Sequence, residues 1–115
     1  RETARVIKMA VRRNDTAARM GGEEFLVLCP GADLDESVKI GNRIRQRVEE
    51  NLVRFGDFQR NVTISIGCAE NLPGVSDIDH LLRLADEAVY VSKSAGRNRV
   101  SAAPRPAAPG QAKSA

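Results

Sequence analysis

Gly21-Gly22-Glu23-Glu24-Phe25 joins two strand-like runs, Arg19-Met20 before it and Leu26-Val27-Leu28 after it. A Gly-Gly pair between such runs predicts a two-residue β-hairpin turn, because the favoured hairpin turns need positive φ at their central residues. Glu23 and Glu24 would then lie at the hairpin tip. Since successive side chains of a strand point to opposite faces, we expect one of them to bind an ion directly and the other to assist. Their oxygens suit Mg²⁺, which usually takes one or two carboxylates together with substrate phosphates.

Helix and strand signals extend on both sides of the hairpin and predict the order helix, strand, hairpin, strand, helix, strand, helix, short strand. Asp33 followed by Glu36 is a capping-box pattern that opens the second helix. Ser76 or Asp77 would cap the third helix, and Gly96 would stop it. The other predicted bounds are a first helix over 1–13, a strand over 25–29, a turn at 56–57 and an alternating strand over 62–66. Interleaved helices and strands indicate an α/β fold class, an α+β sandwich with a mixed central sheet and helices on its faces.

The composition indicates one small domain and argues against nucleic-acid binding; a phosphorylated small molecule fits better. The chain has 115 residues, of which 42% are hydrophobic and 3% aromatic, so aliphatic side chains must fill the core. The net charge of +3 is modest, and no basic stripe alternates with aromatic residues, which argues against a nucleic-acid surface. The two cysteines, Cys29 and Cys68, lie in apolar runs without metal-ligand spacing, and we expect buried reduced thiols.

Four segments, in order along the chain, resemble motifs of the GGDEF family, the diguanylate cyclases that condense two GTP into cyclic di-GMP. They are the product-inhibition motif RxxD at Arg12–Asp15, the signature at Arg19–Phe25, a core strand at Asn61–Gly67, and the C-terminal helix with its phosphate-binding end at Ala85–Asn98. The resemblance covers about residues 1–100. It implies the palm-like fold of nucleotidyl cyclases, which is related to ferredoxin.

The resemblance also implies roles for the residues at matching positions. Glu23 would be a metal ligand and candidate general base, and Glu24 the second carboxylate of a Mg²⁺ or Mn²⁺ site. Gly21-Gly22 would bind the substrate, and Lys93 with Arg97 would contact the triphosphate of GTP, since a compact ammonium and a forked guanidinium suit such a ligand. Each role has a simpler alternative. An acidic pair can simply keep the exposed edge of a hairpin from pairing with another chain. Cations near a helix C-terminus are stabilised by the helix dipole.

A product-inhibition site for cyclic di-GMP is expected at Arg12, Asp15 and Arg43. The guanidinium of Arg12 would stack on the ligand or fork onto it, and Asp15 would accept guanine N–H groups. The alternative is a set of surface charges or an ordinary ion pair. His80, the only histidine, is expected to be an exposed helix residue, because no second His or Cys accompanies it.

The expected function is that of a diguanylate cyclase, acting as a homodimer in which each protomer holds one GTP and pyrophosphate leaves. The alternative is a catalytically inactive receptor for cyclic di-GMP, or a dimerisation module. Intact glycines and carboxylates in the hairpin favour the enzyme.

The family's opening strand, with another metal-binding aspartate, and its guanine-reading helix pair find no counterpart here. We therefore expect the C-terminal part of the domain over 1–100, inactive by itself, and a disordered Pro/Ala-rich tail over 101–115. A sensory or receiver domain would lie upstream. With no apolar run of membrane-spanning length, this segment is expected to be cytoplasmic and without direct membrane contact.

Overall fold

The computed structural model describes residues 2–21 and 24–104. Helices and strands alternate along this part of the chain, which confirms the mixed α/β class that the sequence predicts. In chain order the elements are α1 (Glu2–Ala10), β1 (Thr16–Gly21), β2 (Glu24–Leu28), α2 (Leu34–Glu50), β3 (Leu52–Phe55), β4 (Phe58–Asn61), β5 (Ile66–Cys68), α3 (Ile78–Ser94) and β6 (Val100–Ala102).

The strands of the described residues pair in three two-stranded units. β1 with β2, and β3 with β4, are antiparallel hairpins, whereas β5 and β6 are parallel. Parallel strands need a long crossover connection, and α3 supplies it. Antiparallel and parallel pairing both occur, but in the described residues they form three separate two-stranded sheets and not the single mixed central sheet that the sequence predicts.

The core lies between α1, α2 and the inner faces of the strands. Its six buried members come from the two helices: Val6, Ile7, Ala10, Ile40, Ile44 and Val48. Phe25 and Val27 of β2 pack against this cluster from the sheet side. Because they are two residues apart in a strand, the core fixes which face of β2 points inward and so fixes the register of the first hairpin.

Both predicted helix caps are confirmed. Asp33 Oδ1 accepts a 2.8 Å hydrogen bond from the backbone N–H of Glu36 at the start of α2, and Asp77 caps α3 in the same way. The carboxylate of Glu70 adds a second cap at α2, accepting from the backbone N–H of Leu34 at 3.0 Å. Gly96 follows the end of α3 with φ of 123°, as a helix stop requires.

His80 differs from its prediction as an exposed residue. It is half-buried, and its Nδ1 accepts a hydrogen bond from the backbone N–H of Ser76 at 3.0 Å. The imidazole therefore closes the loop in front of α3, which is a structural role.

Three other expectations need correction. The first helix ends at Ala10, short of the predicted residue 13, and residues 62–65 are not in a strand, so β5 begins only at Ile66. The predicted turn at Gly56-Asp57 connects a complete hairpin, β3–β4, whose strands the sequence did not reveal. The boundary predicted after residue 100 falls inside β6, which pairs with β5 through Ala102; residues 105–115 of the predicted tail lie outside the described residues.

None of the helices in the described ranges is long and apolar enough to cross a membrane.

Candidate functional site

The glycine–carboxylate pentad lies at the closed end of the β1–β2 hairpin. Arg19 pairs with Phe25, and Gly21 pairs with Glu24, with a register shift between these two pairs. Gly21, which the sequence predicts in the turn, is thus paired at the end of β1. The physical reason is the shift itself, since an extra residue accommodated in β1 carries Gly21 into the paired region. Gly22 and Glu23 lie outside the described residues.

Lys93 and Arg97 stand four positions apart at the end of α3, and both are exposed. Neither side chain has a hydrogen-bond or ion-pair partner anywhere in ranges 2–21 and 24–104. Arg97 has a φ of 64°, in the left-handed region, and its backbone N–H donates to the carbonyl of Ser92 at 2.9 Å. Two unpaired cations at one end of a helix can take up a polyanion, although Lys93 is also well placed to stabilise the helix dipole.

Arg12 and Asp15, both predicted for the product site, bind each other. The guanidinium forks onto the carboxylate, with Nη2 2.8 Å and Nε 3.0 Å from Oδ1, and the backbone N–H of Arg12 donates to Oδ2 at 2.7 Å. The Asp15 side chain is fully shielded from solvent, whereas that of Arg12 is 34% exposed. Arg12 and Asp15 therefore form the ion pair that was the alternative interpretation. Of the two side chains, only that of Arg12 is exposed enough to contact a ligand.

The electrostatics of this pair follow from its contacts. The hydrogen bonds from the Arg12 side chain lower the pKa of Asp15 below its usual value, against the opposing effect of burial. The same hydrogen bonds raise the pKa of Arg12. Arg12 also donates to the backbone carbonyl of Pro30 at 3.0 Å, so its guanidinium ties the start of β1 to the end of β2.

Arg43 reaches the same region from α2. Its Nε donates to the carbonyl of Ala10 at 2.6 Å, two residues before Arg12. Burial raises the pKa of the Cys29 thiol, Asp15 raises it further, and Arg12 and Arg43 lower it. Arg43 is thus bonded to the segment that leads into the Arg12–Asp15 pair.

Sequence reasoning also missed a polar network near the C-terminal end of α2. Asn98, next to Arg97, bonds through its side chain to Arg45 and Glu49. No local signal could have revealed it, because its members are about fifty positions apart in the chain.

No group of three or more His, Cys, Asp or Glu side chains that could hold an ion occurs among the residues that the structure describes. Glu23 is outside those residues. The donor chemistry of the Glu23-Glu24 pair nevertheless fits a hard divalent cation, which prefers carboxylate oxygens and completes its shell with water or phosphate.

Comparisons with a family model, with curated proteins and with solved structures all identify the same family. The family model described as diguanylate cyclase, GGDEF domain, matches residues 1–99. Diguanylate cyclase A of Treponema denticola is 40% identical over 100 residues, a match that covers 87% of this chain and 27% of that protein. The curated relatives of this kind are much longer: the chain spans 20% to 27% of their length.

Two solved structures are similar throughout most of the chain. The GGDEF domain of DgcB from Caulobacter crescentus, determined in complex with cyclic di-GMP, superposes with a TM-score of 0.81 at 34% identity, covering 88% of this chain and 60% of that one. The active GGEEF domain of a diguanylate cyclase from Vibrio cholerae superposes with a TM-score of 0.75 at 25% identity, covering 90% and 65%.

Proposed function

This chain belongs to the GGDEF family of diguanylate cyclases, and we propose that it forms part of an enzyme that condenses two GTP molecules into cyclic di-GMP and releases pyrophosphate. Because the chain covers only about a quarter of the Treponema relative, the activity is proposed for the protein in which this domain is complete.

The observation that carries the proposal is the register of the β1–β2 hairpin. Gly21 and Glu24 are paired, which places both at the closed end of the β1–β2 hairpin. A glycine at the end of a hairpin lets a phosphate approach the backbone closely. The similar domain from Vibrio cholerae is described as an active GGEEF domain, and the same five residues stand here at Gly21–Phe25. Glutamate at position 23 is thus compatible with a working cyclase.

The substrate side of the proposal rests on Lys93 and Arg97. Their exposed, unpaired cations would bind the triphosphate of GTP, with the guanidinium able to grip two oxygens at once. Gly21-Gly22 would lie against the same nucleotide.

In the reaction, the 3′-hydroxyl of each GTP attacks the α-phosphorus of the other, so that two new P–O bonds form and the two bonds to pyrophosphate break. Glu23 would accept the hydroxyl proton as general base. Cyclases of this family are in general metal-dependent. A Mg²⁺ or Mn²⁺ ion held by Glu23, with Glu24 in support, would neutralise charge developing on the phosphate oxygens. Since each protomer supplies one nucleotide and the product is symmetric, the active form would be a homodimer.

Product inhibition is the second part of the proposal. Arg12 and Asp15 are bonded to each other, Arg43 is bonded to the carbonyl of Ala10 two residues before Arg12, and the similar DgcB domain was determined with cyclic di-GMP bound. The exposed part of the Arg12 guanidinium would contact the product, with Arg43 completing the pocket. The same site in a domain without turnover would make a cyclic di-GMP receptor.

The test is the Glu23→Gln variant of the full-length protein that contains this domain. Losing the negative charge while keeping the shape should abolish formation of cyclic di-GMP, because a neutral amide is a weak ligand for a hard cation and cannot serve as the base. Glu87→Gln, an exposed glutamate on α3, is the matched control and should retain activity. Near-normal turnover by Glu23→Gln would disprove the assigned role, and a wild type that binds cyclic di-GMP but never makes it would be a receptor.

A further inference from the structure

The turn that carries Arg97 has an unusual backbone. Gly96, Arg97 and Asn98 have φ values of 123°, 64° and 48°, so three consecutive residues lie in the left-handed region. Glycine adopts such values freely and asparagine tolerates them, but arginine does so only where its surroundings hold it. Strained residues of this kind concentrate at binding sites, where the structure around them maintains the conformation.

The surroundings here are a triangle of side chains. Asn98 Nδ2 donates to Glu49 Oε2 at 2.8 Å, and Asn98 Oδ1 accepts from Arg45 Nη1 at 3.2 Å. Arg45 Nη1 also lies 3.3 Å from Glu49 Oε1, which closes the triangle. Arg45 and Glu49 are one turn apart on α2, so a rigid helix holds both the donor and the acceptor that the amide of Asn98 needs.

The backbone on either side of Asn98 is tied down as well. The N–H of Arg97 donates to Ser92, and the carbonyl of Arg97 accepts from Arg99 Nε at 3.1 Å. The carbonyl of Arg99 in turn accepts from the N–H of Ile66 in β5 at 2.9 Å. The guanidinium of Arg97 is exposed and unpaired among the described residues, which leaves it available while its backbone is fixed.

We propose that Asn98, Arg45 and Glu49 are positioning residues that fix the left-handed turn and thereby aim Arg97 at the triphosphate of GTP. The proposal rests on the proposed function, because the orientation of Arg97 affects nucleotide binding only if Arg97 contacts the nucleotide. The three residues act through Arg97 and touch no substrate. Their contribution is preorganisation: a guanidinium held in place loses less entropy when it binds.

The experiment uses the full-length protein and two measurements, calorimetric binding of a non-hydrolysable GTP analogue and steady-state turnover of GTP. Arg97→Ala should weaken analogue binding by about tenfold or more, as loss of a charge-assisted contact predicts. Asn98→Ala and Glu49→Ala should each weaken it at least about threefold and raise KM, while kcat at saturating GTP changes little. Asn71→Ala, an exposed asparagine whose side chain makes no bond within the described ranges, is the matched control and should bind as the wild type does.

A double variant separates positioning from general stability. If Asn98 acts through Arg97, adding Asn98→Ala to Arg97→Ala should cause no further loss of analogue binding, whereas an independent role would add its own effect. If Asn98→Ala unfolds the domain, the Glu49→Ala variant tests the proposal in its place. This variant should fold, because alanine is favoured in a helix and the bond from the Asn61 side chain goes to the Glu49 carbonyl, which remains.

The outcomes distinguish this proposal from the proposed function. If Arg97→Ala weakens binding but Asn98→Ala and Glu49→Ala do not, or if the double variant is additive, the positioning role is wrong and the cyclase assignment stands. If the wild type neither binds the analogue nor turns over GTP, the proposed function fails and the positioning role fails with it.

Discussion

Gly67 of β5 lies directly against Ala85 of α3, so closely that a Cβ on the glycine would overlap the carbonyl oxygen of the alanine. The same Cβ would overlap backbone atoms of Ala88 and Val89. Backbone atoms of a helix cannot move aside as the end of a side chain can. Contact at this distance therefore requires glycine. It joins β5 to α3, the helix that carries Lys93 and is followed by the turn that holds Arg97.

Gly67→Ala should accordingly be strongly destabilising. We expect a loss at or above the upper end of the roughly 1–3 kcal/mol that overpacking usually costs, because the strand must move away from the helix as a whole. The measurement is calorimetric melting of the domain in the full-length protein.

Gly41→Ala is the matched control for this prediction. A Cβ on Gly41 would meet the side chains of Val100 and Ile66 at 3.3–3.4 Å, and side chains can shift by small amounts. Alanine is also favoured over glycine inside a helix by about 1 kcal/mol, which offsets the crowding. A melting temperature of Gly67→Ala close to that of Gly41→Ala would contradict the close packing of β5 on α3.

The features that sequence predicted correctly are those with local signals. Asp33, Asp77 and Gly96 each act on backbone groups within a few residues, so a short motif is enough to identify them. The pairing of Arg12 with Asp15 is also local, and it was one of the two alternatives that the sequence left open.

The features that sequence missed depend on distant parts of the chain. All four residues of β4 are exposed, so no hydrophobic alternation marks it, and only pairing with β3 makes it a strand. The bonds of Asn98 reach back to α2, and nothing near position 98 indicates them. The extra residue in β1 likewise appears only once β2 is paired beside it, and it brings Gly21 into the paired region.

The 115-residue chain by itself should not turn over GTP. The residues that the structure describes hold no metal-binding group of three carboxylate, imidazole or thiol side chains, and the carboxylate of Glu23 cannot alone fix the geometry that Mg²⁺ demands. The measurement is cyclic di-GMP formation by the purified chain, with the full-length protein as the positive control. Turnover by the 115-residue chain would show that the metal and guanine sites are complete within it.

The stability of the domain should depend on the ionisation of Asp15. Because the folded state lowers its pKa, the charged carboxylate stabilises the fold above its ordinary pKa of about 3.9, and this contribution is lost as the pH falls through the lower folded value. The Asp15→Asn variant should therefore have a lower melting temperature than the wild type at pH 6. The difference between the two melting temperatures should narrow below about pH 4. Asp86→Asn, an exposed carboxylate on α3, serves as the control. A gap between Asp15→Asn and wild type that stays constant down to pH 2 would mean that the lost charge is not the cause.

The last prediction separates product binding from catalysis. Arg12 lies between α1 and β1, away from the hairpin end that carries Glu23, and its guanidinium is the partly exposed member of the Arg12–Asp15 pair. Arg12→Ala should remove product inhibition, raising the inhibition constant about tenfold or more, because a charge-assisted contact to cyclic di-GMP is lost. The initial rate should stay largely intact, since the residues proposed to bind GTP lie elsewhere.

Arg43→Ala should weaken inhibition by a similar or smaller amount, because Arg43 is partly engaged with the carbonyl of Ala10. Lys39→Ala removes an exposed cation from the same helix and should leave inhibition unchanged. The measurement is a progress curve of the full-length protein with added cyclic di-GMP for wild type and the three variants. If Arg12→Ala loses initial rate and keeps its inhibition constant, the forked pair with Asp15 serves only to tie β1 to β2, and the product must bind elsewhere.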